Sequence, residues 1–268
     1  MKNNQKIHYT LHIASAMCFI GHGAFGIITK PIWCNYFAVM GIGRETAFQM
    51  MPVVGTIDIL LGIILLFRPF RAIAAWLVAW SIITASLRPL AGEPFAEFIE
   101  RAGNFGAPLG MLLLAGGIQW NRRWLFSVIN PHQPISEKSL ANVKKTLQVI
   151  VFLLLAGHGW LNLIEKPGIL KQYESLGFSN PANVSLLVGI FEIMAAIAVL
   201  VKPVRPLLVV FLIWKMVTEL FYPHFEIFEW VERGGSYGTL LALILCLEPV
   251  RKRARSADSH RLTPRYQH

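Results

Sequence analysis

Charge is scarce in this chain. Only 15% of its 268 residues are Asp, Glu, Lys or Arg, where soluble domains carry about a quarter. That deficit excludes an ordinary soluble globule, because 54% of the residues are apolar and they gather in long runs. Cysteine is also sparse. Cys18, Cys34 and Cys246 stand far apart with no Cys-x-x-Cys, which argues against a thioredoxin-type relay and a c-type haem attachment. His-Glu-x-x-His, a Walker loop and a dinucleotide-binding Gly-x-Gly-x-x-Gly are all missing, so the common metalloprotease and nucleotide-binding chemistries lack their residues.

What is present is hydrophobic length. Stretches such as "MPVVGTIDILLGIILLF" and "VSLLVGIFEIMAAIAVLV" approach the roughly 20 residues needed to cross ~30 Å of hydrocarbon. Two lysines precede the first stretch, as in a secretory signal. A signal reading is rejected, because the same stretch recurs internally at 145–167.

That recurrence runs through most of the chain. Laying 20–118 over 156–248 puts Gly21-His22-Gly23 on Gly157-His158-Gly159 and Lys30-Pro31 on Lys166-Pro167. Gly55 and Asp58 fall on Gly189 and Glu192. Trp80 falls on Trp214, and Glu97, Glu100 and Arg101 fall on Glu229, Glu232 and Arg233. Each half then holds four apolar segments, at about 8–29, 46–67, 70–88 and 101–118, and at 145–164, 183–201, 204–222 and 234–250. The expected fold is an all-α membrane protein with eight transmembrane helices in two pseudo-equivalent four-helix bundles. Four helices is an even number, so both halves share one orientation and the repeat is parallel. The expected units are 1–120, a cytoplasmic linker at 121–144, 145–250, and a basic tail at 251–268.

Charge distribution sets orientation. With a cytoplasmic N-terminus, 17 of the 25 Lys and Arg fall on the inner side and seven on the outer, with Lys215 inside a helix. The positive-inside rule then places both termini in the cytoplasm, in the inner (plasma) membrane. The net charge of +10 is explained by this asymmetry and by a tail suited to anionic headgroups, without nucleic acid. Trp33, Trp120, Trp124 and Trp230 stand near segment ends, where tryptophan anchors membrane proteins.

Ionisable residues inside a bilayer are costly and mark candidate sites. His22 with Asp58, and His158 with Glu192, can pair across adjacent helices. Such a pair can move protons or simply hold two helices together, and both readings stay open. The flanking glycines clear space for a neighbouring helix or a ligand. Lys215 and Glu219 sit one turn apart, where half one has Ser81 and Ala85. This pair is not duplicated, so fold maintenance explains it less well. At the outer face, Arg88 and Arg101, with Arg233, could hold an anion, since guanidinium forks match oxyanions. Glu100 and Glu232 favour helix N-termini beside those arginines. "PHFEIFEWVERGGS" repeats Phe225, Phe228 and Val231 on one face and Glu226, Glu229 and Glu232 on another, which predicts an amphipathic helix in the outer interface.

Three motifs in each half bring a family into view. Gly23 to Lys30, Gly55-x-x-Asp58 and Arg68-Pro-Phe-Arg71 are matched by Gly159 to Lys166, Gly189-x-x-Glu192 and Lys202-Pro-Val-Arg205. Each half thereby resembles a DoxX-like four-helix unit. The resemblance implies an accessory or catalytic part in a membrane redox system, since some such proteins are associated with thiosulfate:quinone oxidoreductase or with oxidative-stress complexes. On that expectation quinone or a small sulfur anion is the ligand, in an outward-facing polar cavity, with a membrane redox subunit as partner. A haem between His22 and His158 is disfavoured, and no metal set is expected. The other class of reading is non-enzymatic binding or transport of a small amphiphile or anion.

Overall fold

The computed structural model describes residues 3–119, 121–222 and 227–248. The expected basic tail, Trp120, Phe225 and Glu226 lie outside them. Every described element is helical, apart from one isolated bridge between Phe70 and Val128.

Residues 3–114 form α1 (Asn3–Ile27), α2 (Trp33–Val39), α3 (Arg44–Phe67), α4 (Arg71–Leu90), α5 (Ala96–Glu100) and α6 (Ala102–Leu114). A short α7 (Arg122–Leu125) follows. Then come α8 (Glu137–Leu163), α9 (Pro167–Ser175), α10 (Pro181–Val201), α11 (Arg205–Thr218) with a 3-10 turn at Glu219–Phe221, α12 (Ile227–Glu232) and α13 (Gly234–Cys246). The order long, short, long opens both series, but the fourth helix is 20 residues in the first (α4) and 14 in the second (α11).

Local chemistry sets these limits. Ser136 caps α8 by accepting from the Ser139 amide at 3.1 Å, so the helix begins inside the segment expected to be a linker. Asn180 caps α10 in the same way, with Pro181 at its first position, where the missing amide costs nothing. At the far ends, Arg68 and Lys202 are extended and each precedes a proline, which disfavours helical backbone before it. Thr29 and Glu165 end the first helix of each half with φ of 52° and 53°, and Gly41 and Gly177 take left-handed turns with φ of 75° and 86°. Buried side chains also tie matching helices. His12 Nε2 lies 2.6 Å from the Leu65 carbonyl, and Gln148 donates to the carbonyl of Val199 at 2.9 Å.

Among the described residues five helices, α1, α3, α4, α8 and α10, are long and apolar enough to cross a membrane. Their outward faces are aliphatic, as at Val53, Ile57 and Leu60 of α3 and Leu187, Met194 and Ile197 of α10, each at least half or nearly half exposed. The other three expected segments differ from expectation. α11 is 14 residues long, and α6 and α13 are 13 each, about 20 Å of helix. Both of the latter are buried on nearly every side. They continue α5 and α12 through a break, at Arg101 and at Arg233. Irregular backbone at membrane depth is tolerated only when buried in protein or lining a cavity, and both breaks coincide with buried charge.

Packing crosses between halves. α1 packs on α3 and also on α12 and α13; α8 packs on α10 and also on α5 and α6. α6 and α13 touch each other at the centre. The short acidic helices are therefore lodged on the first helix of the opposite half.

Candidate functional site

The two Gly-His-Gly motifs are helix crossings. A Cβ at Gly21 would overlap the Glu232 backbone of α12, and one at Gly157 would overlap the Glu100 backbone of α5. The second glycine serves the same half: Gly23 faces Gly55, and Gly159 faces Gly189 and Glu192. Each histidine is thereby clasped between two helices brought in by its neighbours.

Both histidines meet their acids. His22 Nδ1 is 2.7 Å from Asp58 Oδ2, which also accepts from Trp80 Nε1 at 3.2 Å. The His22 ring lies against Trp33, centroids 4.6 Å apart. His158 Nδ1 is 2.5 Å from Glu192 Oε2. There the surroundings are polar and closed: Asn162 donates toward Glu192, Tyr173 donates to Asn162 at 2.7 Å, and Ser185 bonds Asn162 as well. Trp33, expected as an interface anchor, is buried, and so is Trp124. Trp33 is drawn inward by stacking on His22, and Trp124 by packing into the central core.

The acidic segments also point inward. Glu97, Glu100, Glu229 and Glu232 are all buried while Phe95 and Phe228 are exposed. An amphipathic helix on a membrane interface turns its acids to water; α5 and α12 turn theirs to buried bases. Lys30 of half one pairs with Glu229, and Lys166 of half two pairs with Glu97. Arg101 bonds Glu97 at 2.7 Å and Glu100 at 3.1 Å; Arg233 bonds Glu100 and lies 3.7 Å from Glu219. Lys215 and Glu219 meet at 3.0 Å, both fully buried. Arg88 bonds Glu93 at 3.0 Å and Glu97 at 3.2 Å, and Tyr36 donates to Glu93 at 2.5 Å. Six acids and six bases thus interlock at one end of the molecule. Arg101, Lys166 and Arg88 all converge on the Glu97 carboxylate. Burial pushes the Tyr36 phenol up, against Arg88 and with help from Glu93.

One large cavity adjoins this cluster, lined mostly by half one and closed on one side by residues of half two. It measures about 910 Å³, at the upper end of small-molecule sites. Phe19, Phe25, Trp33, Phe37 and Trp80 wall its body, and Lys30, Arg88, Arg101 and Lys166 stand along it with Glu93, Glu97, Glu229 and Glu232. His22 borders it. The equivalent region of half two holds a recess of only about 10 Å³, bordered by Glu100, His158, Glu219, Tyr222 and Arg233.

The residues singled out from sequence therefore separate. His22, Arg88, Arg101 and Glu232 line the large cavity, with Asp58 behind His22. Glu100, His158, Glu219 and Arg233 surround the small recess, and Lys215 and Glu192 are packed beside it. Lys30, Lys166, Tyr36, Trp33, Glu93 and Asn104 were not anticipated as site residues. The duplicated Lys-Pro and the duplicated Glu97/Glu229 carried that signal, as opposite charges kept in register. Among the described residues no three His, Cys, Asp or Glu side chains converge as a metal set. Comparison with family models, curated proteins and solved structures gives no match.

Proposed function

We propose that this protein binds a small membrane-dissolved amphiphile in the half-one cavity. The observation that carries this is the cavity itself: an aromatic and aliphatic chamber of about 910 Å³ with charged head groups gathered along one part of its wall. Ligand sites are mostly apolar with a few placed polar groups that fix orientation. Around it we place eight membrane-crossing segments in two parallel repeats, the broken α5–α6 and α12–α13 included, with both termini in the cytoplasm of an inner-membrane protein. The DoxX-like assignment rests on the sequence motifs.

A redox role with quinone is the second reading, and the His22–Asp58 pair favours it. Asp58, itself bonded by Trp80, holds His22 by Nδ1, leaving Nε2 for a ligand oxygen beside the flat Trp33 ring. A histidine so backed can donate or take a proton. Electrons would come from a partner subunit; this chain would hold the ring and handle the proton.

The test is extraction of the purified protein, with mass spectrometry and an absorbance spectrum of the extract. A stoichiometric amphiphile is expected, and it should be lost in Thr84→Trp, which fills the cavity. Quinone absorbance in the extract selects the second reading. An extract that Thr84→Trp leaves unchanged overturns the cavity assignment.

A further inference from the structure

We infer that the cavity ligand carries a carboxylate-like anionic head, seated on the cavity-facing edges of Arg88 and Arg101 beside their Glu97 bridge, and an apolar chain. The inference rests on the amphiphile reading and deepens it.

Half two supplies an internal template. There Glu219 offers its carboxylate to two cations: Lys215 at 3.0 Å and Arg233, whose Nε lies at 3.7 Å. In the sequence register, Glu219 corresponds to Ala85, Lys215 to Ser81, Arg233 to Arg101 and Tyr222 to Arg88. So half one loses the carboxylate and the lysine but keeps the arginine at the helix break and gains a second one. Ser81, Ala85, Arg88 and Arg101 all line the cavity. Half two is closed by its own carboxylate; in half one Glu97 Oε2 bridges Arg88 and Arg101, and the cavity opens beside that bridge, where Ser81 and Ala85 are small.

The arginines have capacity left. Among the described residues, Arg88 and Arg101 make their protein bonds through Nη1 alone. Each retains Nη2 and Nε on a side chain that borders the cavity, and a guanidinium fork matches a carboxylate in two parallel bonds. Glu93 already shares Arg88, and Tyr36 holds Glu93 in place. An incoming head thus meets an arginine whose Nη1 is occupied and whose other edge is free.

The chain direction follows from α4. Trp80 bonds Asp58, which marks the level of His22. Arg88 is two turns further along the helix, about 12 Å away at 1.5 Å per residue. Between them Ser81, Thr84, Ala85 and Leu87 line the cavity. A head at Arg88 therefore sends its chain down this face toward Phe19 and His22.

Native mass spectrometry of the detergent-purified protein tests this with two probes of equal chain, dodecanoate and dodecanol. One dodecanoate per protein is expected, with dodecanol needing about tenfold more for equal occupancy, as for loss of a charged hydrogen bond. Arg88→Gln should weaken dodecanoate about tenfold and leave dodecanol unchanged. The double change Ser81→Lys with Ala85→Glu builds the half-two closure into half one; it should keep a cooperative melt and take up neither probe. If this variant does not fold, Arg88→Gln decides alone. Equal affinity for the two probes, unaltered by Arg88→Gln, overturns the anionic head and leaves the amphiphile reading standing. No uptake of either probe, together with an empty extract, overturns both.

Discussion

Glycine and histidine carry this molecule's closest contacts. Gly21 and Gly157 lie directly on the backbone of Glu232 and Glu100, so the opposite half can approach only if these positions lack a side chain. Gly21→Ala and Gly157→Ala should each cost about 1–3 kcal/mol, the range for overpacking a tight contact. Loss of thermal stability in detergent checks this. Gly41→Ala has open space around it but a positive φ, so it reports strain rather than crowding. The clasp itself was legible in the sequence: His22 with Asp58, and His158 with Glu192, pair as the duplicated spacing implies. Its purpose was half-legible. That one glycine serves the adjacent helix could be read from Gly55 and Gly189. That the other serves the opposite half could not, because nothing local in Gly21 names a contact with α12.

The short helices α5 and α12 explain the duplicated lysines. Periodicity alone cannot say which face of an amphipathic helix looks inward, and in a bilayer the usual assumption reverses. Here the acidic face is buried because Arg101 and Arg233 are buried with it and the half-buried Lys30 and Lys166 reach in to it. The two lysine pairs are not equal, however. Glu97 keeps Arg88 and Arg101 when Lys166 is removed, whereas Glu229 has only Lys30 as a direct ion-pair partner among the described residues. Lys30→Met should therefore cost about 2 kcal/mol, since it strands a buried carboxylate, and Lys166→Met clearly less. Adding Glu229→Gln to Lys30→Met should recover most of the loss. A double-mutant cycle on denaturation midpoints reads both effects, and equal losses from the two lysines would contradict the network.

The whole molecule is asymmetric in two ways that its doubled sequence conceals. Among the described residues the large cavity lies mostly against half one, where Ser81 and Ala85 are small and their half-two counterparts Lys215 and Glu219 are large; that contrast was visible in the sequence, but which member marks the open site was not. A buried ion pair draws the eye as chemistry, yet Lys215 and Glu219, wholly buried, also fill space that is open in half one. The second asymmetry is between the ends. The interlocked acids and bases gather where the breaks at Arg101 and Arg233 lie, while the opposite end carries Arg68, Arg71, Arg122, Arg123, Lys202 and Arg205 with few acids. At that end Arg71 bonds Ser127 and the Ala115 carbonyl, and Arg205 bonds Glu248. Excess Lys and Arg of this kind is retained on the cytoplasmic side. In a chain with its three cysteines replaced, Arg123→Cys should react with an impermeant maleimide only after the membrane is opened, and Glu174→Cys should react in intact cells. Both positions are exposed, so labelling reports sidedness rather than burial. The reverse pattern would invert the orientation and move the charged end of the cavity to the cytoplasm, where a ligand would have to enter from inside.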